Sequence, residues 1–141
     1  EEFFGSQCIL HPGSIVACDL AIGLDHTGIY IGRNRIVERH GDGKIRKVSV
    51  NEFINSSTLR SGVTLYAACV NGKVIASSEI AKRAREAVGT NSGYHLIGNN
   101  CHRLTAYLAT GRRHDTTTFS ALATILDTKH PGLEWKSAII R

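Results

Sequence analysis

His26-Thr27-Gly28-Ile29-Tyr30-Ile31 and Arg35-Ile36-Val37-Glu38-Arg39-His40 are two alternating runs, separated by Gly32-Arg33-Asn34. Successive side chains of a strand point to opposite faces. His26, Gly28 and Tyr30 therefore share one face, and Thr27, Ile29 and Ile31 the other. In the second run Ile36, Glu38 and His40 share a face. The Gly-Arg-Asn triplet carries turn chemistry. A hairpin closed there pairs residues whose numbers sum to about 64 to 66. His26 then faces Glu38 or His40 across the ladder.

Further strand signals surround this hairpin. Ser14–Cys18 is a short apolar run after the turn signal His11-Pro12-Gly13, and residues 1–13 read as irregular. Gly41-Asp42-Gly43 is a second turn, followed by a strand over Ile45–Val50. It lacks the following helix that a phosphate-binding loop needs. Residues 51–55 read as a short helix capped by Asn51, and Val63–Ala68 and Lys73–Ile75 as the remaining strands. The apolar period then changes to that of helices. Ser77 or Ser78 caps a helix reaching Val88, with Ile80, Ala84, Ala87 and Val88 as its apolar stripe. Asn99 or Asn100 caps a second, with Cys101, Leu104, Thr105 and Leu108 on one face, closed by Gly111. A third runs from Thr118 to Leu126 before Pro131-Gly132. Strands first and helices after predict an α+β domain, an antiparallel meander packed against helices. A chain of 141 residues fits a single domain. Its expected core is about 12–111, with residues 112–141 as a C-terminal helical tail.

Composition narrows the function classes. Hydrophobic residues make up 42% and charged residues 21%, which disfavours disorder and coiled coil. No apolar run approaches the roughly 20 residues of a membrane span. Basic residues number 17 against 12 acidic, a net charge of +5, which suits an anionic partner or surface. Aromatics are only 6%, so no nucleic-acid partner is expected. The chain has no methionine and opens on Glu1-Glu2, which points to a longer precursor whose missing part could hold an address signal. The location is accordingly left between the cytoplasm and secretion as an effector.

The four cysteines, Cys8, Cys18, Cys69 and Cys101, have neither C-x-x-C nor zinc-finger spacing. They read as four thiols of a reducing compartment, with no metal and no cofactor. Three have apolar neighbours and read as small buried hydrophobes. Cys101 differs, because Asn99, Asn100 and His102 surround it in the first turn of a helix. Unpaired N–H groups and the helix dipole there favour a thiolate. A cysteine nucleophile needs a base, and the base an orienting group. The hairpin offers both: His26 as base and Glu38 as orienter, with His40 as a substitute. His102, Tyr30 and Asn100 are neighbouring candidates. His95 competes as base, being close to Cys101 in sequence. Each residue also has an ordinary reading: His26 as a structural donor, Glu38 as a partner of Arg35 or Lys47, His102 on the solvent side of its helix.

Four stretches together resemble the lecithin:retinol acyltransferase-like (LRAT-like) family, most closely its small bacterial members. They are Pro12-Gly-Ser-Ile-Val16, His26-Thr-Gly-Ile-Tyr-Ile-Gly32, Arg35-Ile-Val-Glu38 and Tyr94-His-Leu-Ile-Gly-Asn-Asn-Cys101-His102. The resemblance runs from about Pro12 to Gly111. It implies a circularly permuted papain-like, NlpC-type fold, with Cys101 as nucleophile and His26 as base. The family's third polar residue, often histidine, falls on Glu38. Better-known animal members read Asn-Cys-Glu-His where this chain reads Asn-Cys-His-Arg. Membrane-anchored members end in an apolar span, which residues 135–141 do not form, so the expectation is a soluble protein. The implied activity is thiol-dependent acyl transfer or hydrolysis on an acyl-bearing substrate, a lipid ester or a peptide amide, at a possible anionic membrane surface. The alternatives are a peptidoglycan or protein amidase of the same superfamily, and a catalytically inactive binding module.

Overall fold

A computed structural model describes residues 7–18, 26–39, 43–54, 65–90 and 101–140. In chain order the elements are β1 (Gln7–Ile9), β2 (Ser14–Cys18), β3 (His26–Gly32), β4 (Arg35–Arg39), β5 (Ile45–Ser49), α1 (Val50–Ile54), β6 (Leu65–Val70), β7 (Lys73–Val74), α2 (Ser78–Ala87), α3 (Cys101–Thr110), α4 (Phe119–Lys129) and β8 (Glu134–Ile139). The strands form one eight-stranded sheet in the order β1-β8-β6-β2-β3-β4-β5, with β7 beside β6. All pairings are antiparallel except β1 with β8. The expected α+β architecture, an antiparallel sheet packed on helices, is therefore present.

The predicted hairpin closes as its spacing requires. Ile29 pairs with Val37 and Tyr30 with Ile36, so paired numbers sum within the expected window. The register shifts between Tyr30 and Gly32, where the turn begins. Alternation splits the core between the two faces of the sheet. Ile29, Ile31, Val37 and Ile45 pack under α2, α3 and α4. Cys18, Tyr30, Ile36, Val48 and Phe53 of α1 pack on the opposite face.

Caps explain where the helices start. Ser77 Oγ accepts from the Ile80 N–H at 3.1 Å and Thr118 Oγ1 from the Ala121 N–H at 3.0 Å, each removing one orphan donor. At α1 the cap is Ser49 and not Asn51. Its hydroxyl accepts from the Glu52 N–H at 3.0 Å while Glu52 accepts from the Ser49 N–H at 2.8 Å, a reciprocal capping box. Gly13 (φ +97°) lets β2 begin against the α2 cap, since a Cβ there would lie 2.2 Å from the Ser77 carbonyl oxygen.

Three expectations fail. Residues 7–9 are a strand, not irregular, and the tail after residue 112 is not wholly helical: α4 is followed by β8. β1 is only three residues long and β8 is partly exposed along its whole length, so neither gives the long alternating run that marks a strand in sequence. The four cysteines are also not four thiols. Strand β1 brings Cys8 to Cys69 and their sulfurs are bonded, 2.08 Å apart, leaving Cys18 and Cys101 as free cysteines. The basis for expecting a reducing compartment is thereby removed.

Candidate active site

His26 opens β3 and sits 7% exposed, directly across from Cys18 of β2. Its ring stacks on Phe53 at a centroid distance of 4.4 Å and an interplanar angle of 23°. The stacking partner and the neighbouring strands leave the imidazole little rotational freedom. Its Nε2 hydrogen-bonds Glu38 Oε1 at 2.6 Å. Glu38 is 2% exposed, and its other carboxylate oxygen accepts from Arg46 Nε at 2.8 Å. Arg46, not Arg35 or Lys47, is the partner because it stands directly opposite Glu38 in the β4–β5 ladder. Arg35 and Lys47 have the other parity and so face the other side of the sheet.

Cys101 begins α3 and is 9% exposed. Its sulfur and the His26 imidazole interact, each favouring the charged form of the other. With Nε2 turned to Glu38, the other ring nitrogen, Nδ1, is the one open to a further partner. His102 lies on the other side of the sulfur, its Nδ1 4.0 Å from Cys101 Sγ. It is 6% exposed, so the solvent-side reading does not hold. His102 Nδ1 is also 3.0 Å from Thr27 Oγ1, which in turn lies 3.0 Å from Thr105 Oγ1. With the Thr27 hydroxyl donating to Thr105, its oxygen accepts from His102, placing that ring's proton on Nδ1. Phe119 closes the far edge of the ring at 6.1 Å.

These contacts set the charges. Burial disfavours an imidazolium at His26, but hydrogen bonds to Cys101 and Glu38 overcome it and raise the pKa to about 9. Burial likewise opposes a thiolate at Cys101, but hydrogen bonds to His102 and His26 lower its pKa to about 5. Against burial, His26 and Arg46 hold Glu38 below the usual carboxylate range. Between about pH 5 and 9 the pair is accordingly thiolate and imidazolium.

The structure thus brings together Cys101, His26, Glu38 and His102. It does not bring Tyr30 to them. That side chain lies four residues further along β3, roughly 13 Å at the usual strand rise, with its hydroxyl 3.4 Å from the Asn34 N–H. His40, Asn100 and His95 lie outside the described residues, as do the expected caps Asn99 and Asn100. Among the described residues, no three His, Cys, Asp or Glu are grouped to hold a metal ion. The sequence reading missed Arg46, Phe53, Thr27 and Thr105. Arg46 was reachable by extending the register arithmetic to the next hairpin, whereas the contacts of Thr27 and Thr105 require knowing how α3 lies on β3.

The sequence profile of the lecithin retinol acyltransferase family matches residues 8–114. The chain belongs to the lecithin retinol acyltransferase family. The kind of function this suggests is cysteine-dependent acyl transfer or hydrolysis on acyl-bearing substrates. The match runs from within β1 through α3, and so contains His26, Glu38, Arg46, Cys101 and His102. A search of curated proteins finds no match. Among the described residues, no helix is long and apolar enough to cross a membrane.

Proposed function

We propose that this protein is a thiol acyl-transfer enzyme in which Cys101 is the nucleophile and His26 the general acid and base. One observation carries the reading: His26 hydrogen-bonds the buried Glu38 and also interacts with Cys101, imidazole and sulfur each favouring the charged form of the other. In the first step the Cys101 sulfur attacks an ester or amide carbonyl carbon, and the carbon–sulfur bond forms. The leaving oxygen or nitrogen takes the proton held by His26 as its bond to carbon breaks. In the second step an acceptor water, alcohol or amine attacks the thioester and gives its proton to His26, and the thiolate departs.

The other groups have supporting parts. Glu38 orients the imidazole and balances its charge, and Arg46 keeps Glu38 ionised. His102 lies against the sulfur and favours the thiolate. In this reading the Cys101 backbone N–H stabilises the oxyanion. Lipid esters and peptide amides both present the carbonyl this chemistry needs.

The test is a soluble p-nitrophenyl acyl ester followed by intact-mass and peptide mapping. The wild type is expected to release p-nitrophenol and to carry the acyl group on Cys101. Cys101→Ala is expected to lose both, with turnover falling by about 10⁵-fold or more, as removal of a nucleophile does in related chemistry. Equal turnover by the two proteins would reject the mechanism.

A further inference from the structure

The opposite end of β3 holds a second feature, which the Cys101 chemistry does not use. A cavity of about 840 Å³ opens between the β3–β4 turn and the C-terminal end of α2. That is the size of a small-molecule site. Its floor is apolar, with Leu10, Pro12, Ile31 and Val88. Its rim is cationic, with Arg33, Arg35, Lys47 and Arg85, and His11 beside them. No carboxylate lines it among the described residues. Glu52 interacts with Arg35 from outside the cavity and is already engaged by the Ser49 N–H.

Two of the four cations are fixed in place. Arg85 Nη2 donates to the Ile31 carbonyl at 2.9 Å, and Arg35 Nη1 donates to the Asn34 carbonyl at 3.2 Å. Each guanidinium has five N–H donors, so most remain open to a ligand. Neither Arg33 nor Lys47 has a hydrogen-bond or ion-pair partner among the described residues. The α2 carbonyls that would repel an anion here are capped: Arg85 O by the Val88 N–H, and Ala87 O by both the N–H and hydroxyl of Thr90.

The turn gives an independent pointer. Arg33 and Asn34 both have positive φ, 51° and 63°, as a type I′ hairpin turn demands. Asn34 suits that region, whereas arginine has no side-chain means of easing it. Arg33 is exposed, so packing does not reward the strained choice. An asparagine or glycine would serve the turn better. Strain kept at an exposed cation is a mark of binding rather than of folding.

We propose that this mouth binds a phosphate-bearing ligand with a short apolar portion, the phosphate between Arg33, Arg35, Lys47 and Arg85 and the apolar part on the floor. Bidentate guanidinium contacts match phosphate geometry, and the floor supplies burial that a free inorganic ion cannot use. The site lies far from Cys101 along β3 and stands whether or not Cys101 is a nucleophile.

The experiment is calorimetric titration with octyl phosphate, inorganic phosphate and neutral octyl glucoside, beside flotation with phosphatidylcholine vesicles with and without phosphatidic acid. Octyl phosphate is expected to bind more tightly than either of the other soluble probes, and more weakly as salt is raised. Arg33→Asn is expected to weaken that binding about tenfold, the loss of one charge-assisted contact, while its melting temperature stays equal or rises. The variant eases the turn, so misfolding cannot mimic the loss. Equal binding of octyl phosphate by wild type and Arg33→Asn overturns the proposal, as does octyl phosphate binding no better than octyl glucoside. Capture by phosphatidic acid vesicles without any binding of octyl phosphate also overturns it, since that outcome assigns the cations to a membrane surface.

Discussion

At one end of β3, His26 and Glu38 are 7% and 2% exposed and share a 2.6 Å hydrogen bond; at the other, Arg33 and Arg35 stand in solvent around an open cavity. The same strand and the same hairpin supply both. What differs is burial. A charge taken out of water must be paired or it is neutralised. At the His26 end each buried group therefore has a partner: Cys101 and Glu38 for the imidazole, His26 and Arg46 for the carboxylate. At the Arg33 end water solvates the cations and no internal partner is required. Internal pairing fixes a reacting group; external exposure leaves cations for a ligand.

Breaking the buried end has the larger effect. His26→Asn removes both the base and the partner that lowers Cys101. A steady-state assay on the acyl ester is expected to show a fall of about 10²–10⁴-fold. Gly28→Ala disturbs the same end sterically. Its Cβ would lie 2.7 Å from the Val37 carbonyl oxygen, 2.9 Å from Ile36 Cγ2 and 3.2 Å from Phe53 Cε1, the ring that stacks on His26. Urea unfolding is expected to show a loss of about 1–3 kcal/mol. The exposed end responds with the opposite sign. Arg33→Asn relieves the left-handed backbone, and the same measurement is expected to show a gain of about 0.5–1 kcal/mol. A loss there would mean that the cation helps to hold the turn.

Sequence legibility follows the same division. The His26–Glu38 contact was readable because strand alternation and a short turn leave few registers: the observed one sets Glu38 opposite Gly28, one diagonal step from His26 on the same face. Helix α2 was readable because Ser77 caps it as expected, and α4 because its apolar residues recur at helical spacing from Phe119. Strands β1 and β8 were not, because β1 is only three residues long and β8 is partly exposed throughout, with no alternation. The disulfide was hidden with them, since Cys8 reaches Cys69 only once β1 is in place. The two histidines of the site also differ in this respect. His26 has a register partner to reveal it. His102 is revealed only by Thr27 and Thr105, whose meeting depends on how a helix docks on a sheet. The cavity was invisible for a similar reason: Arg33, Lys47 and Arg85 belong to three separate elements, and nothing local links them.

Site-resolved alkylation of Cys101 by iodoacetamide from pH 4 to 10, read by peptide mass spectrometry, tests the central claim most directly. Cys18 is 0% exposed and is scored separately in the same digest. The sign follows from the lowered thiol: the reactive thiolate is present above its folded pKa and lost as pH falls through it. The rate should therefore be half-maximal near pH 5, and hold through neutrality while His26, raised to about 9, keeps its proton. In His26→Asn the half-point should move upward. A wild-type half-point near the ordinary thiol value of 9.0, unchanged in His26→Asn, would contradict the thiolate–imidazolium pair and with it the assignment of Cys101 as nucleophile.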